Sequence, residues 1–113
     1  MKGTMTKLDK IKNLKEYYDV IENNEFVIIY WYTRLCPDCF VMKAALPRLE
    51  KDFDNYKFYA VNRNMDIDLA KHLNIFGIPS FLIYKKGEEI DRFVDKRSKS
   101  YIQVNEFITN AIK

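Results

Sequence analysis

The chain has 113 residues, of which 48% are apolar and 15% aromatic, and a formal net charge of +3. That length supports one compact domain, residues 1–113, with a single core and no room for a second. Its 19 basic and 16 acidic side chains are spread along the sequence, so the clustered footprint of a nucleic-acid binder is not expected, and no stretch approaches the ~20 uncharged apolar residues of a membrane span.

The N-terminal "MKGTMTKLDK" is charged and has no apolar centre of signal-peptide length, which gives the expectation of a cytoplasmic protein. "MTKLDKI" reads as a short edge strand. Asn13 with Glu16 three residues on forms a capping-box-like start, and Leu14, Tyr17, Tyr18 and Ile21 follow at helical spacing. "FVIIYWYT" is a continuous β-rich apolar run, predicting a strand buried on both faces. From Pro37 the period changes, and Phe40, Val41, Ala44, Ala45 and Leu49 predict a helix with that apolar stripe.

"YKFYAVN" predicts a second buried strand and "DIDLAKHLNI" a short helix capped by Asp66. "SFLIYKKGEEIDRFV" predicts a hairpin with Gly87 in the turn. Ser100 and Gln103 repeat the capping box before a closing helix faced by Tyr101, Val104, Ile108 and Ala111. The order β-α-β-α-β-α-β-β-α predicts an α/β fold, a central mixed sheet with helices on both faces.

Both cysteines lie in "FVIIYWYTRLCPDCF", where the apolar strand stops. Cys36 falls at the strand–helix junction and Pro37 at the first helical position, where its missing N–H is not needed. Free amides and the positive end of the helix dipole favour a thiolate at Cys36. Cys39, one turn further on the same face, is within disulfide reach. In a reducing compartment such a pair points to catalysis or metal binding.

A zinc site normally needs four ligands, and the single histidine, His72, lies far along the chain with no second CxxC to complete the set, which argues against a site within one chain, while two copies could pool their pairs. Otherwise the cysteines are either a redox pair or two small buried hydrophobes. His72 reads as a surface helix residue. Tyr30, Trp31 and Tyr32 read as core, with strand alternation able to expose one ring beside the thiols. Asp38 suits the first turn of a helix and also opposes a thiolate at Cys36, whereas Arg34 acts the other way.

Three segments together carry a resemblance to the thioredoxin family over essentially the whole chain: the strand leading into "CPDC" and a helix, "FGIPSFLIY", and "YKKGEEIDRF". The resemblance implies the thioredoxin fold and a protein disulfide reductase or redox relay that uses no cofactor beyond the Cys36–Cys39 pair. It implies Cys36 as nucleophile, Cys39 as resolving thiol, Pro79 as a cis-proline, and Leu35 and the backbone of Ile78 as substrate contacts.

Disulfide-bearing proteins would be substrates, a thioredoxin reductase or another dithiol the donor, and a monomer the working form. A non-catalytic or redox-sensing module and an electron donor dedicated to one enzyme are the alternatives. Several positions depart from the family pattern: Leu35 replaces a tryptophan, Tyr30 a buried aspartate, Ala60 its lysine partner and Ala44 a proline, with Pro47 one turn later. "DKRSKS" stands where a glycine usually follows the last strand.

Overall fold

The computed structural model describes residues 9–65 and 67–112. Five strands form one mixed sheet in the order β1-β3-β2-β4-β5: β1 (Asp9–Ile11), β2 (Phe26–Tyr32), β3 (Lys57–Asn62), β4 (Ser80–Lys85) and β5 (Glu88–Phe93). β3 runs parallel to both β1 and β2, whereas β4 is antiparallel to β2 and β5 to β4. The helices are α1 (Leu14–Asn23), α2 (Pro37–Asp52), α3 (Ile67–His72) and α4 (Tyr101–Ala111), with a 3-10 turn at Arg63–Met65. The expected element order is therefore observed. The expected Asp66 cap lies outside the described residues.

β2 is the central strand, and its side chains alternate between two apolar layers. Val27, Ile29 and Trp31 join Tyr17 and Ile21 of α1 and Leu69 and Ala70 of α3. Ile28 and Tyr30 point the other way, onto Met42, Leu46 and Leu49 of α2 and Val104 and Ile108 of α4. Helices thus cover both faces of the sheet.

Local signals set the ends of these elements. The Asn13 side chain accepts from the Glu16 amide at 2.9 Å, and Ser100 and Gln103 complete their reciprocal capping box. The hairpin turn is Lys86-Gly87, both with positive φ (52° and 86°), the pairing that a tight two-residue hairpin loop requires.

α2 corrects one expectation. Its buried stripe is Cys39, Met42, Leu46 and Leu49, not the phase set by Phe40, Val41 and Ala44, all of which are exposed. The helix is apolar on more than one side, and the burial of Cys39 fixes which side faces the sheet. It also runs unbroken through Pro47, although a proline there removes one backbone hydrogen bond.

The polar stretch after β5 is built around a buried cation. Lys99 Nζ donates to Asp95 Oδ1 at 2.8 Å, to the Arg97 carbonyl at 3.0 Å and to the Asp95 carbonyl at 3.4 Å, and it lies 4.9 Å from the centre of the Phe93 ring. The Lys99 hydrogen bond, reinforced by Arg97, holds the Asp95 carboxyl down at about 2 against an ordinary 3.8. Lys99→Met retains the apolar stem and loses these bonds, so it is expected to cost about 2 kcal/mol at neutral pH.

Because the Asp95 pKa is depressed in the folded state, its contribution is complete above the ordinary value and is lost as pH falls through about 2. Urea midpoints of wild type and variant should therefore converge on acidification. A deficit that does not change with pH would contradict this assignment.

Candidate active site

Parallel β2 and β3 bring their C-terminal ends together, with Tyr32 opposite Asn62, while antiparallel β4 starts at the same end, with Ser80 opposite Trp31. Three segments distant in sequence therefore emerge side by side: Thr33–Cys36 after β2, Arg63 after β3, and Ile78–Pro79 before β4. Phe93 pairs with Phe81, so the segment after β5 leaves at this end too.

Cys36 is the N-cap of α2 with Pro37 as its first residue, and it is bonded to Cys39 as a disulfide, with the Cα atoms 5.1 Å apart. The Cys39 amide donates to Cys36 Sγ at 3.1 Å. In the reduced protein that donor and the helix dipole favour the thiolate at Cys36 over Cys39. Exposure makes the same distinction, since Cys39 is only 3% exposed whereas Cys36 is half-buried. Attack and departure of a substrate sulfur therefore have access at Cys36.

The other expected site residues take varied places. Leu35 is 96% exposed beside the disulfide, and Phe40 and Phe76 are 78% and 66% exposed. Arg34 is exposed and Asp38 half-buried in the first helical turn. Ile78 is half-buried and Pro79 buried, and the bond between them is cis. His72 is exposed on α3, with Nε2 3.2 Å from the Tyr18 hydroxyl. Among the described residues no cluster of three or more His, Cys, Asp or Glu side chains is disposed to hold a metal. Sequence reasoning overlooked Arg63, a lone charge after β3 whose neighbours appear only when the strand ends are assembled.

Tyr30 is buried under the pair, stacked on Tyr32 with ring centres 5.5 Å apart, and its register partner on β3 is Ala60. Its hydroxyl donates to the Cys39 carbonyl at 2.9 Å. Burial, aided by Tyr32, pushes its pKa far up, so at neutral pH it is a donor and cannot take the proton of Cys39. A carboxylate in this apolar place would titrate nearer neutrality and act as a base. Tyr30→Asp is therefore expected to shorten the mixed-disulfide lifetime roughly tenfold in stopped flow. An unchanged lifetime would show that proton removal from Cys39 is not limiting.

The thioredoxin family matches residues 9–109. Thioredoxin-2, mitochondrial, of Schizosaccharomyces pombe is 24% identical, over 80% of this chain and 68% of that protein. Thioredoxin-3, mitochondrial, of Saccharomyces cerevisiae is 25% identical, over 81% of this chain and 72% of that protein. The crystal structure of oxidised mitochondrial thioredoxin 3 from Saccharomyces cerevisiae superposes with a TM-score of 0.82 at 22% identity, over 91% of this chain and 94% of that one, which establishes the thioredoxin fold.

These matches overturn the cytoplasmic expectation, because both relatives are mitochondrial proteins. Searching for an apolar leader tests secretion alone, whereas mitochondrial targeting uses amphipathic segments that such a search does not register. With its disulfide seated between β2 and α2, the chain belongs to the thioredoxin family and is a thiol–disulfide oxidoreductase that works through its own cysteine pair.

Proposed function

We propose that the chain reduces disulfides in protein substrates, with Cys36 as nucleophile and Cys39 as resolving thiol. The Cys36 thiolate attacks one substrate sulfur, forming a mixed disulfide and releasing the other substrate sulfur as a thiolate that takes up a proton. Cys39, having lost its proton, attacks Cys36 Sγ and expels the second substrate thiol. Two electrons have then passed to the substrate, and the chain holds the Cys36–Cys39 disulfide. A thioredoxin reductase or another dithiol returns the electrons.

The observation that carries this reading is the accessible sulfur of Cys36 at the α2 N-cap, accepting from the Cys39 amide with the second sulfur buried behind it. Leu35 and the backbone of Ile78 receive the substrate segment beside Pro79. Both thiols and this ledge come from one chain, which supports a monomer as the working form. The two mitochondrial relatives support a mitochondrial setting.

The test is insulin reduction with dithiothreitol as donor, then with thioredoxin reductase and NADPH. Turnover in the first supports the reading. A pair that cycles in glutathione buffers yet never reduces insulin would instead make the chain a non-catalytic module.

Asp38 adjusts this pair. Its charge in the first turn opposes the Cys36 thiolate and so favours the disulfide, making the dithiol a stronger reductant. Asp38→Asn is expected to raise the reduction potential by roughly 10–40 mV in a glutathione titration. An unchanged potential would leave Asp38 as a helix-start residue only.

A further inference from the structure

At the sheet end that carries Cys36, a cleft of about 410 Å³ is lined by Arg63, Phe76, Gly77, Ile78 and Lys96. Its two cations are unlike their neighbours. Arg92, Arg97 and Lys99 are matched by Glu89 and Asp95, whereas among the described residues Arg63 and Lys96 make no ion pair. Arg63 is nevertheless held, because its Nε donates to the Ile75 carbonyl at 2.9 Å. A guanidinium fixed this way loses little freedom on binding and presents its remaining N–H groups in the fork that suits a carboxylate.

Lys96 follows Asp95, whose backbone is seated so closely on Gly77 that a Cβ there would come within 2.2 Å of the Asp95 carbonyl oxygen. That contact fixes the strand of chain carrying Lys96 against the Ile78 ledge. Of the charges nearest Cys36 in the sequence, Arg34 and Asp38 are opposite in sign, so the cleft cations Arg63 and Lys96 add a net positive charge beside the Ile78 ledge. Exposed Phe76 adds an apolar surface to the same cleft.

We infer that this cleft selects protein disulfides whose flanking extended segment carries carboxylate side chains, which pair with Arg63 and Lys96 as the segment lies along Gly77 and Ile78. The inference rests on the protein-disulfide reading above and names its substrate class. Acidic segments would be steered to the thiolate and held for exchange, while basic ones would be repelled.

The test uses reduced protein and two disulfide-bridged peptides identical except for Glu-Glu or Lys-Lys beside the cysteine, with neutral hydroxyethyl disulfide as a third substrate. The second-order rate constant is expected to favour the Glu peptide about 5–10-fold at low salt, with the ratio contracting as salt screens it. Arg63→Glu with Lys96→Glu should invert the ratio, which cancels any general loss of activity. Lys51→Glu with Lys57→Glu, the same charge change at the far end of the sheet, should leave the ratio in place.

Equal rates for the two peptides, or an equal shift from the distal pair, would overturn the inference while leaving disulfide exchange intact. Failure to reduce even hydroxyethyl disulfide would instead overturn the exchange reading on which it stands.

Discussion

Cys39→Ser is expected to strand substrate proteins on Cys36 as mixed disulfides that survive non-reducing electrophoresis, whereas Cys36→Ser captures none. Insulin turnover should fall at least about 100-fold in both variants, because each removes one half of a two-step exchange. The asymmetry follows from access: the Cys36 sulfur is at the helix start with an amide donor, and Cys39 is 3% exposed beneath it. A serine at 39 leaves attack intact and abolishes release. Equal capture by the two variants would mean that either sulfur can attack, and the assigned roles would be wrong.

The second large effect concerns Gly77. A methyl group there would lie 2.2 Å from the Asp95 carbonyl oxygen and 2.6 Å from the Lys96 nitrogen, both backbone atoms that cannot rotate away. Gly77→Ala therefore has to separate the ledge before β4 from the segment after β5, whose Lys99–Asp95 bonds resist the movement. The expected cost is about 3 kcal/mol, or a Tm lower by roughly 12–20 °C.

Gly87 provides the contrast. A Cβ there would meet nothing nearer than 3.8 Å, and only its φ of +86° disfavours other residues, so Gly87→Ala should cost about 1 kcal/mol. Calorimetric melting of both variants checks the pair. A Gly77→Ala loss no greater than that of Gly87→Ala would mean that the close approach relaxes without cost.

Much of the fold was legible because its signals are local. The strand Phe26–Tyr32, the Cys36-Pro37 helix start, both capping sequences and the Lys86-Gly87 hairpin each depend on residues within a few positions of one another. What escaped depends on assembly. Periodicity alone could not choose between two apolar stripes on α2, since Phe40, Val41 and Ala44 fit a helical face as well as Met42, Leu46 and Leu49 do, and the sheet made the choice.

Nothing local in "DKRSKS" marks Lys99 as buried, and burial of its ammonium becomes visible only when three oxygens converge on it. The charge of the cleft was hidden for the same reason. Arg63 and Lys96 are 33 positions apart in sequence and meet only because the ends of β3 and β5 lie on one side of the sheet.

The central claim is that the chain passes two electrons from its own cysteine pair to a protein disulfide. Its most direct measurement is a single turnover without any external reductant, in which fully reduced chain, freed of small thiols, is mixed with excess insulin. Protein thiols are then blocked with a mass-tagging alkylator. The account predicts about one insulin disulfide opened per chain, with Cys36 becoming unreactive to the tag first, in the mixed disulfide, and Cys39 following as it closes on Cys36. Insulin left fully oxidised while Cys36 and Cys39 both stay taggable would contradict it.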